Sequence, residues 1–205
     1  MESIIFDLDG TLWDSRKTVS KSWTQVVQEV KYGRGEVTED DLKKTMGLQV
    51  KDIAALLFNY LDEDKQMELI LECCKREQVD LCREGGILYP DLEEVLQKLS
   101  SRYSLFIVSN CQEGYIETFY KFHGLGKYFV DFENPGRTGL TKGENIKLLM
   151  ERNTISSAVY VGDTEGDRVA AKFAGIPFVL ANYGFGNPED YDFLIEKPKD
   201  LLELF

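Results

Sequence analysis

Histidine occurs once in the 205 residues, and no two cysteines take the C-x-x-C spacing. A zinc site built from those ligands is therefore excluded. The four cysteines, Cys73, Cys74, Cys82 and Cys111, form no disulfide framework either and read as the reduced thiols of a cytoplasmic protein. Lysine and arginine never cluster, and the net charge of −12 works against attraction to a nucleic-acid backbone or an anionic membrane. No apolar run approaches the length of a membrane span. The chain opens on a short apolar segment, Ile4-Ile5-Phe6, with neither the basic start nor the long apolar stretch of a signal peptide. What is present is ordinary for a globular protein: 43% hydrophobic and 29% charged residues, enough for one domain with an insertion or a domain with a small companion. Nothing points to an oligomer, and a monomer is expected.

The hydrophobic pattern divides the chain into three pieces. Residues 3–7 read as a short strand ending in an acid. From Asp14 to about Leu88 only helical spacing is visible, carried by Val26, Val27 and Val30, then Ile53, Leu56, Leu57, Tyr60 and Leu61, then Met67, Leu69, Ile70, Leu71 and Cys74. Breaks at 32–35, 47–49 and 62–64 divide this block into about four helices. After Gly85-Gly86 helices and strands alternate. Strands are expected at 105–108, 128–132, 158–161, 177–180 and, weakly, 193–195. Helices are expected from Asp91 (capped with Glu94) to about Leu99, over 112–123, from Thr141 (capped with Glu144) to about Arg152, over 167–174 and near 199–204. Strands separated by helices imply a parallel sheet covered on both faces, interrupted after its first strand by a helical insertion placed as a lid would be.

The polar residues that end these strands share one location. Asp7 closes the first, Ser109-Asn110 close another, and Gly162-Asp163 close a third. Open parallel sheets bind ligands beyond the carboxyl ends of their strands, so these groups meet in one crevice, joined by Lys142 from the first turn of the helix that Thr141 caps. Asp7 and Asp9 lie two apart, and Asp163 and Asp167 four apart. Each like-charge pair at ~4 Å and an effective dielectric of ~20 costs roughly 4 kcal/mol, so either protons or a cation must be held there. Carboxylate ligands without histidine or cysteine suit a hard ion, and magnesium is the usual one beside a phosphate. The cation also lets a carboxylate approach a phosphate dianion. Lys142, the Ser109 hydroxyl, Asn110 and the backbone amides of the Asp9–Thr11 turn, with Gly10 at its centre, could hold phosphoryl oxygens. A carboxylate nucleophile splits the reaction through an acyl phosphate, and Asp9 is placed to protonate the leaving alcohol and then activate water.

The four segments Asp7-Leu-Asp9-Gly-Thr11, Ser109-Asn110, Lys142 and Gly162-Asp-Thr-Glu-Gly-Asp167 resemble, in order and spacing, the signature motifs of the haloacid dehalogenase superfamily. Asp14-Ser15 and the helical insertion look like its phosphoglycolate-phosphatase-like members with a small helical cap. The resemblance spans essentially the whole chain. It implies an α/β fold, a Rossmann-like parallel-sheet core of residues 1–13 and 89–205 with an α-helical cap domain of residues 14–88. It implies Asp7 as nucleophile, Asp9 as acid and base, and Mg2+ held by Asp7, the backbone carbonyl of Asp9 and Asp163, with Asp167 supporting. One departure is Gly143, where many relatives place proline after the lysine.

Taken singly, these motifs also have plain readings: a turn at Asp7–Gly10, polar strand ends, a solvated lysine. Their order along the chain is what gives them weight. His123 reads as a helix-end residue and Cys111 as a small buried filler that could instead line the rim. In the cap, Gln49 and Lys51 are candidates for contacting the leaving group, with Arg34 and Arg16 behind them, although a solvated face is the plainer reading of each. If the substrate, a small phosphorylated metabolite, is strongly anionic, the −12 background requires a cap cation to point inward. Hinges are expected near Asp14-Ser15 and Gly85-Gly86. A sugar phosphomutase would use the same motifs. A dehalogenase is disfavoured by Asp9, and a non-catalytic phosphate-binding module by the intact set of groups.

Overall fold

The computed structural model describes residues 1–205. In chain order it contains β1 (Ser3–Phe6), β2 (Trp13–Asp14), α1 (Arg16–Glu29), α2 (Glu39–Thr45), α3 (Val50–Leu57), α4 (Glu63–Glu84), β3 (Ile87–Leu88), α5 (Leu92–Ser100), β4 (Ser104–Val108), α6 (Tyr115–His123), β5 (Phe129–Glu133), α7 (Pro135–Thr138), α8 (Lys142–Arg152), β6 (Ala158–Gly162), α9 (Glu165–Ala174), β7 (Phe178–Ala181), β8 (Phe193–Ile195) and α10 (Leu201–Leu204). Six strands form one sheet in the order β5-β4-β1-β6-β7-β8, every pairing parallel.

The apolar strand sequences follow from that sheet having both faces covered. Ile4 and Phe6 belong to one core cluster and Ile5, between them, to another, because successive side chains of a strand point to opposite faces. The second cluster packs under α8 and α9 through Ile146, Leu149, Ala170 and Ala171. The first is continuous from the sheet through Trp13 into Trp23, Leu69, Ile70 and Leu81 of the helical insertion. Sheet and insertion therefore share buried apolar surface.

The sequence predicts only helices between residues 14 and 88. The structure adds a two-stranded antiparallel ribbon, β2 with β3, pairing Trp13 with Leu88 and Asp14 with Ile87. Two-residue strands carry no readable periodicity, and this ribbon ties the entry and exit of the four-helix insertion together at the positions expected to hinge. The helix at 91 also starts differently. Asp91 has φ 60°, and its side chain caps nothing. Thr141 and Glu144, by contrast, form the expected reciprocal capping box on α8. The helix expected over 112–123 begins only at Tyr115, after Gly114 at φ 89°.

Candidate active site

The sheet order places β1 between β4 and β6, so the three strands whose ends carry Asp7, Ser109-Asn110 and Asp163 are neighbours. Asp7 lies at the end of β1, buried, with Lys142 Nζ donating to its Oδ1 at 2.9 Å. The same ammonium donates to Asp167 Oδ1 at 2.6 Å. Burial opposes the charge on Lys142, but the adjacent Asp167 and Asp7 carboxylates outweigh it and raise its pKa. For Asp7 burial dominates, reinforced by the Asp167 charge and resisted by Lys142, and its pKa rises to about 7.

Asp9 faces the same cavity from the turn beyond β1. Its Oδ1 accepts from Ser15 Oγ at 2.5 Å and from Tyr115 OH at 3.1 Å. Ser15 stands at the N-cap of α1, yet its hydroxyl caps no backbone amide; it serves Asp9 and forgoes a cap that is ordinarily worth about 1 kcal/mol. Asp9 keeps some exposure to the cavity, but desolvation by its neighbours still pushes its pKa up to about 6, against the pull of Ser15 and Tyr115. That value suits a group that must both give and take a proton near neutrality.

Asp163 and Asp167 play unequal parts. Asp167 Oδ2 accepts from Thr164 Oγ1 at 2.7 Å and from the Thr164 amide at 2.9 Å, completing a capping box on α9, while its Oδ1 is taken by Lys142 and Tyr160 OH. Asp163 Oδ2 accepts from the Phe185 amide at 2.7 Å. Asp163 Oδ1 is buried without any partner. Carboxylate oxygens of Asp7, Asp163 and Asp167 lie within 4.8 Å of one another. The backbone carbonyl of Asp9 accepts no hydrogen bond. An orphaned buried carboxylate oxygen grouped with two further carboxylates, with a free carbonyl on the turn that follows Asp7, is a donor set that fits a hard cation. Burial, with the Asp167 and Asp7 charges, holds the Asp163 pKa well above the usual carboxylate range, a strain that a cation would relieve.

Gly10 and Thr11 do not take the places the sequence suggests. Neither lines the cavity. The Gly10 amide donates to the Trp13 carbonyl and the Thr11 amide to Leu8, so both are consumed in closing the turn. The amides of Leu8, Asp9 and Asn110 have no intramolecular partner, and neither do those of Ser15 and Gln112. Gly10 is needed for shape: it has φ +84°, and a Cβ there would stand 2.3 Å from Asp163 Oδ2. Ser109 and Asn110 do line the cavity, but the Asn110 side-chain amide is spent on the cap, donating to the Gly47 carbonyl at 2.8 Å. Gly143 is explained by packing, since a Cβ on it would meet Phe173 Cδ1 at 2.7 Å.

Asp7, Asp9, Ser109, Asn110 and Lys142 share a cavity of about 80 Å³ roofed by the cap, room for a handful of water molecules. The expected inward cap cation is absent: Lys142 is the only cation on the wall. Gln49 and Lys51 line an outer cleft of about 510 Å³ instead, together with Lys75. Arg16 pairs with Asp14, and Arg34 lies over the Tyr60 ring. The cap gives the inner cavity apolar groups, the hydroxyls of Ser15 and Thr45, and one acid, Glu77. Cys111 is buried on the same wall, its thiol pushed well above its ordinary pKa by burial. His123 ends α6 and packs edge-on against Trp13. Sequence reasoning missed Ser15, Tyr115, Glu77, Gln112 and the Phe185 amide. Of these only the Gly184-Phe185-Gly186 loop, following a strand end as the other motifs do, left a readable signal.

Known proteins resemble this chain in sequence and in fold. Residues 4–181 match the model of the haloacid dehalogenase-like hydrolase family. A phosphoglycolate phosphatase of Aquifex aeolicus is 30% identical over 211 residues, covering 100% of this chain and 96% of that protein. One from Vibrio parahaemolyticus is 29% identical over 217 residues, covering 98% and 94%. Among solved structures, a haloacid dehalogenase-like hydrolase from Streptococcus pneumoniae superposes with a TM-score of 0.87 at 22% identity, covering 100% of this chain and 98% of that one.

Proposed function

Because the chain belongs to the haloacid dehalogenase-like hydrolase family, we propose that it is a phosphatase that moves the phosphoryl group of a small phosphomonoester first to Asp7 and then to water. The observation that carries this reading is the pairing of two differently treated carboxylates on one small cavity: Asp7 clamped by Lys142, and Asp9 raised by desolvation to a pKa of about 6 against the hydrogen bonds of Ser15 and Tyr115.

Residues 1–13 and 89–205 form the catalytic core in this reading, and residues 14–88 the cap. Lys142 fixes Asp7 by its Oδ1, which leaves Oδ2 for attack on phosphorus or for a cation. The Ser109 hydroxyl and the unpaired amides of Asp9 and Asn110 are available to phosphoryl oxygens, where fixed donors stabilise charge that grows in the transition state. Asp9 gives its proton to the departing alcohol oxygen and afterwards takes one from the water that attacks the phosphoryl-aspartate. Asp7, Asp163 and the Asp9 carbonyl would hold magnesium, with Asp167 keeping Lys142 and Asp163 in place behind them. When bound, the ion offsets the charge that otherwise keeps a carboxylate from a phosphate dianion. The Gly47 contact to Asn110 joins cap to core above the cavity and would help exclude water.

The test is phosphate release from an aryl phosphate with and without magnesium, for the wild type and for Asp7→Ala. Magnesium-dependent turnover abolished by the substitution is expected. Equal activity in the two proteins would sink the reading. The names of the relatives make phosphoglycolate the first metabolite to assay.

A further inference from the structure

The cap side of the inner cavity has a chemistry of its own. Val19, Leu42, Met46, Leu48, Ile53 and Ile70 are among its lining groups, and the one carboxyl the cap adds is Glu77. Glu77 is 2% exposed. Trp23 Nε1 donates to its Oε2 and Gln112 Nε2 to its Oε1. Each oxygen therefore keeps a lone pair free, and no lysine or arginine forms an ion pair with it. The cations Lys51 and Lys75 stand only in the outer cleft. Lys142 is already shared between Asp7 and Asp167.

A leaving group that carried its own carboxylate, as phosphoglycolate does, would be buried largely among apolar side chains with no countercharge, since the polar groups of this wall, Ser15, Thr45, Gln112, Tyr115 and Glu77, include no cation. Uncompensated burial of an ion is the costliest arrangement such a wall can impose. An ammonium would instead supply the positive partner that Glu77 lacks and draw it into its ionised, acceptor-only form, and a hydroxyl would fill a remaining acceptor site of either form. Burial pushes the Glu77 pKa up to about 8, as expected of a carboxyl that lacks a positive partner. This inference rests on the phosphatase reading. Within it, we propose that the substrate is the phosphate ester of a short, largely apolar alcohol that bears no second anionic group and presents a hydrogen-bond donor, hydroxyl or ammonium, to Glu77.

Three two-carbon esters of matched size test this: phosphoglycolate, 2-hydroxyethyl phosphate and 2-aminoethyl phosphate, compared by kcat/KM with the wild-type enzyme and magnesium. The hydroxyl ester, the amino ester or both are expected to exceed phosphoglycolate by at least about tenfold, and their order identifies the donor. Glu77→Gln should move that ratio toward one, chiefly through KM. Phosphoglycolate turned over as well as or better than both others would overturn the inference and leave the phosphatase reading intact, since phosphate is still released. A ratio unmoved by Glu77→Gln would overturn the role of Glu77. If that variant does not fold, the wild-type comparison alone decides. Release of phosphate from none of these esters or from an aryl phosphate would overturn both readings.

Discussion

The phenol of Tyr115 donates to Asp9 Oδ1 at 3.1 Å, joining the first turn of α6 to the loop after β1 across 106 positions of sequence. A donor of this kind stabilises the ionised carboxylate, so it lowers the Asp9 pKa against the upward push of desolvation. In the proposed chemistry Asp9 must be protonated for the first step, and kcat/KM should fall as pH rises through about 6. Tyr115→Phe keeps the ring and removes the donor, so the pKa rises and the limb moves to higher pH, by up to about one unit. The measurement is the pH dependence of kcat/KM for the two proteins. A limb that stays put or moves down would separate Asp9 from the proton transfer.

Lys142 holds two buried carboxylates at once. Removing it in Lys142→Met leaves both without a countercharge, and the loss of one partner from a buried pair ordinarily costs about 3–5 kcal/mol. Activity should fall by at least ~10² and the melting temperature should drop together with it. Lys142→Arg keeps the charge but brings a larger planar group into a pocket shaped around a single ammonium, so it should recover little activity. Phosphate release and thermal unfolding of the three proteins decide the matter, and full activity in the arginine variant would show that charge alone suffices.

Much of this arrangement is legible in the sequence because the chemistry sits where chain direction alone places it. Asp7, Ser109, Asn110 and Asp163 end strands, and parallel strands put their carboxyl ends on one edge whatever the packing elsewhere. Thr141 and Glu144 announce α8, and with it the position of Lys142. The groups that escape notice depend on how separate elements dock. Tyr115, Gln112 and Glu77 come from α6, the loop before it and the middle of α4, and no local pattern says that they face one cavity. The same holds for Gly10 and Thr11, whose amides look available until the turn closes on Trp13 and Leu8. The cap residues Gln49 and Lys51 line the outer cleft for a related reason: helical spacing gives the face of α3, while the cavity which that face meets is set by its docking against α4.

Asp163 presents a buried oxygen with no partner, and burial, with the Asp167 and Asp7 charges, keeps its pKa well above the carboxylate range. Magnesium should therefore stabilise the folded protein, by about 2.7 kcal/mol at a concentration one hundred times the dissociation constant. Asp163→Asn relieves the repulsion among the three carboxylates and should unfold at the same or a higher temperature without metal, yet lose the magnesium-induced shift. Thermal unfolding with magnesium and with a chelator checks both signs without any assay of activity. A shift preserved in the variant would place the ion elsewhere.

Glu77 supplies a stability prediction that is independent of catalysis. Its folded pKa is raised from 4.5 to about 8, chiefly by burial, with the hydrogen bonds from Gln112 and Trp23 pulling the other way. Between those values the native state keeps a proton that the unfolded chain has released, so the linkage makes stability fall as pH rises through the window. The slope is about 1.4 kcal/mol per pH unit, on the order of 5 kcal/mol across the whole window, an upper figure because the surroundings can relax around the charge. Glu77→Gln removes the titrating group at the expense of one of its two hydrogen bonds, since an amide oxygen cannot accept in both places that the carboxylate does. The variant should thus be less stable than the wild type near pH 5 and should gain on it steadily up to pH 8.5. Melting temperatures of the two proteins across that range give the comparison. A difference that stays constant with pH would mean that Glu77 titrates as an ordinary exposed carboxylate and that the wall it forms is open to water.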